Sequence, residues 1–145
     1  MTLRDTHSLR DETSEWPRQL DASLCGSYLA DVLIGWDCFK QEPLQGAPLV
    51  LRFESCDLLF IAEENELVLE FETEDTLNPE AFASGNRDVC PTWIPLERLS
   101  DALGRRVLGI HRVNGSEYMI ELEECSIRIV VERGLVVGTL TPACD

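Results

Sequence analysis

The chain has 145 residues, enough for one ordinary domain or two very small ones sharing a core. At 44% hydrophobic it can close a real core, which excludes wholesale disorder. Acids outnumber bases 27 to 12, a formal charge of −15 that repels nucleic acid and anionic membrane and attracts cationic proteins.

Residues 1–15 read as a flexible tail. The stretch Met1 to Asp11 is polar with mixed charge, so no signal peptide is expected and the protein is expected to be cytoplasmic. No apolar run approaches the roughly 20 residues of a membrane span. Six cysteines are present (Cys25, Cys38, Cys56, Cys90, Cys125, Cys144), without any Cys-x-x-Cys pair. Reduced thiols are the expectation, and neither a metal site nor a cofactor motif is indicated.

From Trp16 onward the chain repeats itself. Pro17 to Cys25 and Pro95 to Leu103 each predict a short helix, with proline in the first turn and Gly26 or Gly104 at the stop. Leu20 and Leu24 share one helical face in the first copy, as do Leu96, Leu99 and Leu103 in the second. Trp16 and Trp93 would staple these helices down. Gly26, Leu29 and Val32 match Gly104, Val107 and Ile110 at an offset of 78 residues, and Leu49 to Glu63 matches Tyr118 to Glu132 at 69. The difference falls in one connection, Asp37 to Pro48 in the first copy against Asn114-Gly115 in the second.

The strands alternate. Leu49, Leu51 and Phe53 point one way, as do Leu58, Phe60 and Ala62, and then Leu67, Leu69 and Phe71. Tyr118, Ile120 and Leu122, followed by Ile127, Ile129 and Val131, repeat that inward face. Links at Ser55-Cys56, Glu64 to Glu66, Glu124-Cys125 and Arg133-Gly134 fit antiparallel hairpins. The predicted fold is α+β but predominantly β: two pseudo-symmetric helix-plus-four-strand antiparallel units packed as a sandwich or barrel-like domain. The first unit is 16–73, a linker loop runs over 74–93, and the second unit is 94–141.

The charge is uneven. Residues 30–80 hold thirteen acids against Lys40 and Arg52, whereas residues 81–145 hold nine acids and seven arginines. Glu54, Glu63, Glu70 and Glu72 are expected on the outer face of the first unit, a cluster that costs sheet stability and suits a basic partner. The plainer reading is a solvated face whose charges discourage edge pairing. In the second unit Arg128 is expected to neutralise Glu121, Glu123 and Glu132. Trp36-Asp37-Cys38-Phe39 opens the long first-copy loop, where exposed aromatics beside an acid make anchors for a basic partner; Trp36 alternatively ends its strand by covering the core.

Nucleophilic catalysis finds little support. There is no Gly-x-Ser-x-Gly turn and no glycine-rich phosphate loop. His111 stands where the first copy has Leu33, a packing position, and a Cys125–His111 pair would be needed for thiol chemistry. The carboxylate-rich stretch Glu63-Glu64-Asn65-Glu66 lacks the pattern of a calcium loop.

Gly26 to Trp36, Leu49 to Glu54, Asp57 to Glu63 and Trp93 to Val113 together resemble an uncharacterised bacterial family known only as a domain of unknown function. That likeness implies no activity. In general character the chain is also similar to bacterial toxin-immunity proteins, which are small, acidic and cytoplasmic. The expectation is a non-enzymatic acidic binding protein, an immunity or inhibitor protein for a basic partner such as a nuclease toxin. The alternative is a self-associating structural or regulatory subunit, a homodimer.

Overall fold

A computed structural model describes residues 24–54, 56–72, 79–82 and 87–142. The first predicted helix, Trp16 and the tail lie outside them, apart from the buried Leu24 and the exposed Cys25. The described chain is mostly β, arranged as two antiparallel sheets.

The first sheet is built on β1 (Leu29–Asp37). On one edge β1 pairs with β2 (Glu42–Pro43) and then β3 (Leu49–Phe53), and β4 (Asp57–Glu63) and β5 (Glu66–Glu72) follow outward. On its other edge it pairs with β6 (Pro91–Pro95). The second sheet is a simple meander of β7 (Val107–Asn114), β8 (Glu117–Leu122), β9 (Cys125–Glu132) and β10 (Leu135–Pro142).

The predicted strands appear because their apolar residues alternate and find a shared core. Leu51, Leu58, Phe60 and Leu69 on the first sheet meet Tyr118, Ile120, Ile127 and Ile129 on the second, all essentially without exposure. Phe60 and Tyr118 meet edge to face, centroids 5.9 Å apart, so the two sheets touch ring on ring. β10 lies close over β3, and Gly138 permits it: a Cβ there would stand 3.2 Å from Leu99 Cδ1 and 3.3 Å from Leu49 Cδ2.

Two seams stitch the sheets at their margins. Gly26 N–H donates to Val107 O, Val107 N–H to Ser27 O, Leu29 N–H to Arg105 O and Gly104 N–H to Leu29 O, at 2.7–3.0 Å. Elsewhere Leu67 N–H donates to Gly115 O and Val136 N–H to Gly46 O, each at 2.9 Å. Gly104 adopts φ +81°, a conformation that suits the residue just past a helix end.

Several expectations change. The second predicted helix, Pro95 to Leu103, shortens to a 3₁₀ helix over Glu97–Ala102, because Leu96 N–H still donates to Val32 O and extends the β6–β1 ladder. Leu99 and Ala102, three apart, are its buried face, and Leu103 is exposed. Trp93 is therefore a strand residue opposite Gly35, edge to face with Phe82, rather than a helix staple. The predicted linker contains a 3₁₀ turn, Pro79–Phe82, and its last residues enter β6.

The outer face of the first sheet is not the solvated acidic face expected. Val50, Leu59 and Val68 on that side are buried, and so are Asp57 and Glu70. Glu70, opposite Leu59, does not present its carboxylate to solvent.

One core group is out of place energetically. The Tyr118 hydroxyl is fully buried and finds no hydrogen-bond partner among the described residues, and burial pushes its ionisation well above the usual phenol range, with Arg112 opposing. Removing an unmet buried hydroxyl recovers its desolvation cost. Tyr118→Phe is therefore expected to leave stability unchanged or raise it by about 1 kcal/mol in urea unfolding. A loss of more than about 1 kcal/mol would show that the hydroxyl is satisfied.

Candidate functional site

The sequence pointed to two groups of residues, the acidic strands and the Trp36-Asp37 corner. At the far end of the first sheet, Glu63 and Glu66 face each other across β4 and β5 and flank the Glu64-Asn65 turn. Glu63, Glu64 and Glu66 are all exposed, as is Glu54 at the end of β3. The Glu72 side chain lies outside the described set. Of the carboxylates predicted to share one face, Glu54 and Glu63 reach solvent whereas Glu70 is enclosed.

The second sheet pairs several of its acids with arginines. Arg128 grips Glu117 with two contacts, Nε to Oε2 at 2.7 Å and Nη2 to Oε1 at 3.3 Å. Its partner is thus Glu117 rather than Glu121 or Glu123, and Glu132 adds a weaker attraction. The Glu117 hydrogen bond is the largest of the influences that raise the Arg128 pKa. Arg106 meets Glu123 at 2.8 Å and Arg105 meets Glu124 at 3.1 Å. These two pairs and Leu108 line an open groove of about 560 Å³. Exposed pairs of this kind add little stability, but they cancel charge locally.

At the Trp36-Asp37 corner, Trp36 is half-buried between Pro43 and Thr92 on the neighbouring strands. Asp37 is buried, and its Oδ1 accepts the backbone N–H of Phe39 at 3.0 Å, of Cys90 at 3.1 Å and of Lys40 at 3.5 Å. Phe39, two residues on and part of the same Trp36-Asp37-Cys38-Phe39 run, is 66% exposed, so it is the aromatic of this corner that reaches solvent.

The thiol–imidazole pair is not assembled. Cys125 is buried at the start of β9 opposite Leu122, where burial pushes its thiol up. His111 is exposed on β7 opposite Met119, with Nδ1 3.7 Å from Glu121 Oε2. Among the described residues no three His, Cys, Asp or Glu side chains gather as a metal site. No described helix is long and apolar enough to cross a membrane.

No protein-family model matches this chain, and no curated protein or solved structure matches it.

Asp37 gives the corner a testable pH signature. Burial by itself would raise its pKa, but the donors from Cys90, Phe39 and Lys40 outweigh it and hold the carboxyl below 3.8. A carboxyl depressed in the folded state stabilises the fold above its unfolded pKa, and that contribution disappears as pH falls through the folded value. Asp37→Asn is expected to lower Tm at pH 7 by roughly 3–8 °C, with the deficit closing below pH 3.8. A deficit that stays constant with pH would contradict the role assigned to the charge.

Proposed function

We propose that this protein is a non-enzymatic acidic binding protein that docks a basic protein partner, in the manner of an immunity or inhibitor protein capping a cationic toxin such as a nuclease. The observation that carries this reading is the contrast between the sheets. The first exposes Glu54, Glu63, Glu64 and Glu66 within residues 30–80, which hold thirteen acids against Lys40 and Arg52, whereas residues 81–145 set seven arginines against nine acids. A field concentrated at one end speeds and orients encounter with a cation-rich surface. Exposed Phe39 and half-buried Trp36 beside it would supply the apolar contact that holds the complex.

We read the two meanders as two copies of one ancestral unit. The starts of β1, β3, β4 and β5 at Leu29, Leu49, Asp57 and Glu66 are followed by those of β7 to β10 at Val107, Glu117, Cys125 and Leu135. On this reading the second copy completes the core and the first carries the elaborated Asp37–Pro48 connection.

Self-association, the other reading of the sequence, draws support from exposed Leu108 and Val113 on β7. It is opposed by the two register irregularities that interrupt this strand, a common defence of sheet edges.

With a basic protein whose gene neighbours this one as ligand, stopped-flow association is expected to slow about tenfold between 50 and 500 mM salt. Joint reversal of Glu63, Glu64 and Glu66 to lysine is expected to slow it about as much at low salt, with little change in dissociation. An on-rate indifferent to both would overturn the reading.

A further inference from the structure

Cys38 and Cys90 are far apart in sequence and adjacent in space. The β1–β6 ladder pairs Asp37 with Pro91, and the next step brings Cys38 opposite Cys90, with Cys38 N–H donating to Cys90 O at 2.9 Å. Directly opposed residues of this hydrogen-bonded kind lie about 5.5 Å apart at Cα. That spacing is within the range of about 4.4–6.8 Å that a disulfide spans. Cys90 N–H turns to Asp37 Oδ1 instead of returning a bond to Cys38, so the rung is closed on one side only and can adjust. The same carboxylate holds Phe39 N–H, so Asp37 fixes the backbone on both sides of the pair. Both thiols are free, Cys38 exposed and Cys90 partly so, and their side chains are near enough to interact. The other described cysteines lack this arrangement: Cys56 and Cys125 are buried, and Cys25 donates to Leu108 O at 3.4 Å.

We propose that Cys38 and Cys90 are a redox site that a low-molecular-weight disulfide, such as oxidised glutathione, converts reversibly into an intramolecular disulfide locking β6 to β1. The Cys38 thiolate attacks one sulfur of the small disulfide, whose S–S bond breaks and releases one thiolate that takes up a proton. Cys90, losing its own proton, then attacks the Cys38 sulfur and expels the second small thiol. The two cysteines lose two electrons and two protons, and the small disulfide gains them as two thiols. Reaction begins at Cys38 because it is the more exposed of the two. It quickens with rising pH, since burial, Cys90 and the Asp37 charge all push the Cys38 thiol up.

The loop so closed contains β2 to β5, so the cross-link restricts much of the unfolded chain. Oxidation is therefore expected to raise Tm by roughly 5–15 °C. It leaves the exposed hairpin acids untouched although Cys38 adjoins Phe39, and the test below measures linkage and Tm rather than association, so its outcome is separate from that of the docking proposal.

The test uses the full chain carrying Cys25→Ser, because Cys25 and Cys38 share one tryptic peptide between Arg18 and Lys40. The reduced protein is equilibrated in buffers of increasing oxidised-to-reduced glutathione ratio, alkylated and mapped by mass spectrometry, with Tm measured in parallel. The expected result is a single linked peptide pair joining Cys38 to Cys90, appearing together with the Tm rise and reversed by dithiothreitol. Adding Cys38→Ser should leave Cys90 open to alkylation and abolish the rise. A linkage of either cysteine to Cys144, a reaction that stops with glutathione on Cys38, or a linked pair without a Tm rise would each overturn the proposal.

Discussion

Neither sheet can bury its apolar face alone, and the protein depends on their being pressed together. Phe60 and Tyr118 meet edge to face between them, and Gly138 lets β10 settle over Leu49 and Leu99. Strands as short as these gain little from their own hydrogen bonds, so the shared core is what makes the ladders stable. The seams then follow from the packing: once the faces meet, Gly26 and Leu29 lie beside Arg105 and Val107, and backbone groups that would be stranded at the margin find partners.

This dependence explains what could be read in the residues and what could not. Eight strands were legible because runs such as Leu49-Leu51-Phe53 and Tyr118-Ile120-Leu122 place a large apolar residue at every second position, the period of a strand. β2 was not, since two residues ending in proline carry no period. β6 was hidden by prolines at both ends, which read as a linker and a helix start. The outer face was misread at Glu70, although Leu58-Leu59-Phe60-Ile61-Ala62 is a continuous apolar run, the usual sign of a strand covered on both sides.

The candidate site was legible in its charge and not in its geometry. Composition located the acidity in the first half of the chain, but only register separates the carboxylates at the Glu63–Glu66 turn from Glu70 within the sheet. Asp37 illustrates the same limit: as a residue type beside Trp36 it suggested an anchor, and its place at the end of β1 makes it the acceptor that joins the loop to Cys90. Its nearest consequence is architectural, since the long first-copy connection leaves the sheet at this point.

The claim on which the rest stands is that the two sheets form a single cooperative unit, and native-state amide hydrogen exchange tests it most directly. The seam amides of Gly26, Leu29, Gly104, Val107 and Val136 should exchange with the same protection as the central strand amides of Leu51 and Ile129, all through global unfolding. Two separate protection levels, one for each sheet, with the seam amides exchanging orders of magnitude faster than either, would contradict it.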